Sequence, residues 1–85
     1  MAPTIPGWLR QRDGKLELAS DGHTWVVWFD GRANYGLEAA PVKGQFGCKI
    51  FQTINGHRVP SEGTYPTADE AIAGGLEDLR KALGW

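Results

Sequence analysis

The stretch TADEAIAGGLEDLRKALG, residues 67–84, decides the fold, because it is the one segment of the chain with a clear helical signature. Thr67 and Glu70 have the spacing of a capping box, in which the hydroxyl accepts from the Glu70 N–H and the carboxylate reaches back to the Thr67 N–H. Behind that start, Ile72, Leu76, Leu79 and Leu83 form one apolar stripe, while Asp69, Glu70, Glu77, Asp78, Arg80 and Lys81 mostly lie off it. Gly84 stands where a left-handed residue ends a helix, and Trp85 is placed to fold back over Leu79. A helix with one apolar face needs a surface to cover. Everything upstream reads as strands, so the upstream chain must supply that surface.

Four Asx-Gly pairs punctuate the upstream chain: Asp13-Gly14, Asp21-Gly22, Asp30-Gly31 and Asn55-Gly56. Each is a hairpin signal, since type I′ turns require positive φ at both central residues. The strands expected between them are Trp8–Arg12, Lys15–Ser20, His23–Phe29, Asn34–Ala40, Phe46–Ile54 and His57–Val59. Pro41–Gln45 reads as a longer connection and Pro60–Pro66 as the loop into the helix. The expected fold is therefore α+β, a twisted antiparallel meander of four to six strands with one C-terminal helix packed on one face. Residues 1–7 read as a Pro-rich arm and residues 8–85 as the sheet-plus-helix domain.

Two-residue loops at the Asx-Gly pairs assign side chains to faces, because residues opposite one another share a face. One face collects Leu9, Leu16, Leu18, Trp25, Val27, Phe29, Cys48, Ile50, Ile54 and Val59, the expected seat of the helix. Gly74-Gly75 costs about 1 kcal/mol per glycine inside a helix, which suits a close approach to the sheet, for instance under Trp25. The other face carries Trp8, Arg10, Arg12, Lys15, Glu17, Val26, Trp28, Tyr35 and Leu37, joined by Lys49, Phe51, Thr53 and Arg58 in one of the two parities that the Pro41–Gln45 connection permits; the other parity puts Lys49 and Phe51 on the opposite face. Over those positions five bases (Arg10, Arg12, Lys15, Lys49, Arg58) face one acid (Glu17), although the whole chain has a net charge of −1.

Eighty-five residues suffice for one domain that buries roughly 60% of its unfolded surface. At 41% hydrophobic and 22% charged, the composition is that of a soluble globule. A net charge of −1 gives no global attraction to nucleic acid or anionic membrane, so any such attraction must be local. The single cysteine, Cys48, excludes an internal disulfide and points to a reducing, cytoplasmic setting. No stretch reads as a signal peptide or a membrane span, so no membrane association is expected.

No catalytic constellation emerges. His23 and His57 flank turns without a second ligand at metal spacing, Cys48 does not fall opposite His57, and Ser20 and Ser61 lack a nucleophile elbow. The 12 glycines form no phosphate or dinucleotide loop, so no cofactor or metal is expected. Glu77 and Lys81 have i,i+4 spacing, which suits a solvated helix face better than acid–base chemistry.

The step Thr64-Tyr65-Pro66-Thr67-Ala68-Asp69-Glu70-Ala71, followed by the leucine stripe, resembles the close of small three-strand, one-helix domains such as the arm-type DNA-binding domains of phage integrases and the plant AP2-type domain. The resemblance covers about a quarter of the chain and implies a DNA-reading sheet with Arg10, Arg12, Trp28 and Arg58 as readers. The chain departs from those domains in lacking a strongly basic composition. The expected function is a non-enzymatic binding module that uses Arg10, Arg12, Trp28, Tyr35, Lys49, Phe51 and Arg58. Its partner is either DNA or RNA, or a protein; the protein case covers a homodimer through the sheet face and a phage- or mobile-element-encoded inhibitor of a host protein.

Overall fold

Helix α2, Ala68–Leu83, realises the C-terminal pattern in a computed structural model that describes residues 5–29 and 31–84. The Thr67 hydroxyl accepts from the Glu70 N–H at 3.1 Å, so the first turn is capped as its spacing requires. Gly84 ends the helix at φ 76°, and its N–H bonds the Lys81 carbonyl at 3.1 Å. Ile72, Leu76 and Leu79 are buried on the helix face turned to the sheet, with Leu83 packed at the margin of the core. The expected fold of Trp85 onto Leu79 lies outside the described residues.

The sheet is antiparallel throughout: β1 Lys15–Leu18, β2 Thr24–Phe29, β3 Arg32–Val42, β4 Gln45–Gln52 and β5 Arg58–Val59 lie in sequence order. A further strand, β6 Thr64–Tyr65, pairs with β4 at Phe46 and Gly47, beside the β5 pairs at Ile50 and Phe51. β5 and β6 thus act as one interrupted strand along the margin of β4. The loop expected over Pro60–Pro66 contains this β6 segment instead.

The first expected strand is a helix. α1, Gly7–Gln11, buries Leu9 completely and sets the Trp8 ring 6.4 Å from that of Phe29, while Arg10 and Arg12 are exposed. Asp13, at φ 54°, ends this turn, and the Gly14 N–H bonds the Leu9 carbonyl at 2.8 Å. An Asp-Gly pair with positive φ closes a helix as readily as a hairpin, and here it does the former. Ile5 packs against the core, so the expected arm is anchored at that residue.

A tight turn lies where the longer connection is expected. Val42 pairs with Gln45, leaving Lys43 (φ 49°) and Gly44 (φ 82°) as the two central residues of a hairpin. β3 therefore outruns β2: the last β2 partner is Thr24, opposite Glu38, and residues 39–42 are paired with β4 alone.

Two residues expected outside are inside. Phe29 pairs with Arg32 and Trp28 with Ala33, but Val27 pairs with Tyr35, which leaves Asn34 as the extra residue of a β-bulge. The Asn34 side-chain amide donates to the Phe29 carbonyl at 3.3 Å and the Arg32 carbonyl at 3.1 Å. One inserted residue inverts the parity of the rest of β3, so Tyr35 packs against the core and Leu37 is wholly buried. The core is Leu9, Val27, Phe29, Leu37, Cys48, Ile50, Ile72, Leu76 and Leu79, with Trp25, Leu16 and Val59 against it. Ile54, expected inside, lies 90% exposed in the β4–β5 connection, because β4 ends at Gln52.

Candidate interaction surface

The face of the sheet away from α2 follows from the same register. One row crosses all five ordered strands: Glu17, Val26, Gly36, Phe51 and Arg58 stand opposite one another in turn. A Cβ built on Gly36 would run into the Phe51 ring, so that ring lies across the glycine and buries it. An aromatic laid over a strand glycine recovers packing that the missing side chain forfeits. The row therefore reads acid, aliphatic, aromatic, base.

Two further rows flank it. Lys15, Trp28 and Ala33 lie on one side, and Thr24, Glu38 and Lys49 on the other. Val26, Trp28 and Phe51 are part-buried, whereas Lys15, Glu17, Lys49 and Arg58 are exposed. The Trp28 indole nitrogen is buried without a hydrogen-bond acceptor among the described residues. An unsatisfied buried donor of this kind costs about 1–3 kcal/mol.

Of the residues expected to form this surface, Trp28, Lys49, Phe51 and Arg58 are brought together on it. Arg10 sits on α1 and Arg12 just past its end, and Tyr35 belongs to the inner face. The charge balance changes accordingly: three bases (Lys15, Lys49, Arg58) share the face with two acids, Glu17 and Glu38, in place of the five-to-one excess expected. Glu38 and Lys49 stand directly opposite across β3 and β4, an arrangement that lets their charges offset.

The β1–β2 turn holds a polar cluster that spacing along the chain does not reveal. Asp21 accepts from the His23 and Thr24 N–H groups, each at 2.9 Å, and from the Thr24 hydroxyl. The Thr24 hydroxyl, and then the two backbone donors, hold its carboxyl down at about 2. His23 Nδ1 lies 3.3 Å from a Glu38 carboxylate oxygen and 3.8 Å from one of Asp21. Glu38 reaches His23 because it stands opposite Thr24, the next residue along, across β2 and β3. Three donor groups within 4.8 Å of one another have the chemistry of a cation site, but most of Asp21's acceptor capacity is already engaged by its own turn.

Cys48 is buried beneath α2, and burial, followed by the negative charge of Asp78, pushes its thiol up to about 12. It is a core residue, as its place beside Ile50 predicts. On α2, Arg80 Nε donates to Glu77 at 3.0 Å, and this bond holds the Glu77 carboxyl below its usual range. Ser61 donates to Asp78 at 2.8 Å, which ties the loop between β5 and β6 to the helix.

No described helix is long and apolar enough to cross a membrane. Compared with known proteins, the chain matches no family model, no curated protein and no solved structure.

Proposed function

We propose that the chain is a non-enzymatic protein-interaction module that associates through the outer sheet face, and that the partner this face fits is a second copy. The observation that carries the reading is the row Glu17–Val26–Gly36–Phe51–Arg58. Its ends carry opposite charges and its middle is apolar. Two such faces related by a two-fold axis parallel to the strands set Glu17 of each copy against Arg58 of the other and stack the Val26 and Phe51 positions between them. An isologous interface requires this kind of self-complementarity. Apolar residues at the centre with charges at the rim are the usual anatomy of a protein contact. Nucleic acid is the weaker fit, because phosphate binding draws on an excess of cations and the face carries acids among its bases.

The test is sedimentation of the wild type and of a charge swap. The wild type is expected at twice its 9.3 kDa. Arg58→Glu should shift it toward monomer, and adding Glu17→Arg to that variant should restore the dimer. A wild-type chain that stays monomeric at high concentration overturns the reading, as does a double variant that fails to re-associate while remaining folded. Salt-sensitive amide shifts over Trp28, Lys49 and Arg58 on addition of oligonucleotides would favour nucleic acid instead.

A further inference from the structure

On the helix side of the sheet, at the end opposite α1, the β1–β2 hairpin and the first turn of α2 diverge and leave a groove of about 450 Å³. Its walls are Leu18, Trp25, Ala39, Phe46 and Ile72, and its polar groups include His23 and Asp69. Leu18 is 50% exposed there although its partner across the hairpin is Trp25, because α2 does not extend over it. The volume falls in the range that holds a small organic molecule, and an apolar lining with few polar groups is the usual composition of such sites.

The charges around the groove have one sign. Asp69 lines it, is part-buried, and is in no ion pair with a described residue. Asp69 is the one formally charged residue among the lining residues. No lysine or arginine is among the lining residues. Trp25 and Phe46 add two aromatic rings, whose faces attract cations. An anionic ligand would meet the Asp69 carboxylate, whereas a cationic one would find in it a counter-charge that is in no ion pair with a described residue, beside apolar walls.

We propose that this groove binds a small aromatic amine, with its ring between Trp25, Phe46 and Ile72 and its ammonium group toward Asp69. The site lies on the opposite side of the sheet from the proposed dimer face, so it does not depend on that reading.

The experiment is an amide and indole NMR titration with two probes that share a ring and differ in charge, phenethylamine and phenylacetate. Phenethylamine should give saturable shifts at Trp25, Ala39, Phe46 and Ile72, with phenylacetate weaker by about tenfold or more, as expected for reversed charge beside a partly screened carboxylate. Asp69→Asn should narrow the gap between the probes by weakening the amine alone. Equal binding of the two probes overturns the charge assignment. Shifts that do not saturate in the millimolar range, or that fall away from the groove, overturn the site.

Discussion

Gly75 of α2 lies directly against Cys48 of β4: a Cβ on the glycine would stand 3.0 Å from the Cys48 Cβ and closer still to its sulfur. The same atom would come 3.0 Å from Leu37, so the helix reaches the sheet at a place where only a bare backbone fits. Gly74 makes the corresponding approach to the Tyr65 ring. The helix gives up about 1 kcal/mol of propensity at each glycine in exchange for this contact. Gly75→Ala should therefore destabilise by about 1–3 kcal/mol despite alanine's better propensity, because overpacking outweighs it. Urea denaturation measures this, and Cys48→Ala added to Gly75→Ala should recover part of the loss. A more stable Gly75→Ala would show that the helix is free to lift.

The cap at Thr67 is a separate contribution, made by one hydroxyl to the Glu70 N–H. Thr67→Ala should cost about 1 kcal/mol, which for a chain of this size lowers the melting midpoint by roughly 4–8 °C. Thr67→Ser should retain most of it. Thermal melts of the two variants side by side are the check.

Asp21 ties stability to pH. Its carboxyl is lowered in the fold from 3.8 to about 2, so the stabilisation is fully present above 3.8 and is lost as the pH falls toward 2. Asp21→Asn removes the titrating group. The stability gap between wild type and variant should thus be constant near neutrality and shrink across that acid window. A gap that persists unchanged to the bottom of the window would assign the effect to another group.

Cys48 should be inert while the chain is folded. Its thiol is buried and raised to about 12, which leaves almost no thiolate at pH 8. A thiol-reactive dye should label it only as fast as the protein opens, and in full once denaturant is added. Rapid labelling of the native chain would mean that α2 detaches readily from β4.

What the sequence made legible was whatever is encoded locally. The capped, striped segment from Thr67 to Leu83 forms its helix as periodicity requires, and β2 and β4 lie within two residues of their expected bounds. The errors arose where one local signal permits two structures. Asp13-Gly14 closes a helical turn and not a hairpin, which removes Arg10 and Arg12 from the sheet. Lys43-Gly44 makes a tight turn although its first residue is a lysine at positive φ. Asn34 gives no sign of being an extra residue, because a bulge is defined by the partner strand and not by the strand that contains it. That one residue moved Tyr35 and Leu37 to the opposite side of the sheet, while Lys49, Phe51 and Arg58 kept theirs.

Pro41 sits in the part of β3 that runs past Thr24 and pairs with β4 only, so that its other margin has no strand partner among the described residues. A bare margin of that kind invites another chain to continue the sheet, and repeated addition of that sort grows a fibre. Proline has no N–H to offer an incoming strand, and Lys43 just beyond it adds a charge that a stacked copy would repeat. Propagation is thus blocked at this margin, so the pairing proposed through the broad face would close on itself and not extend into an open-ended polymer.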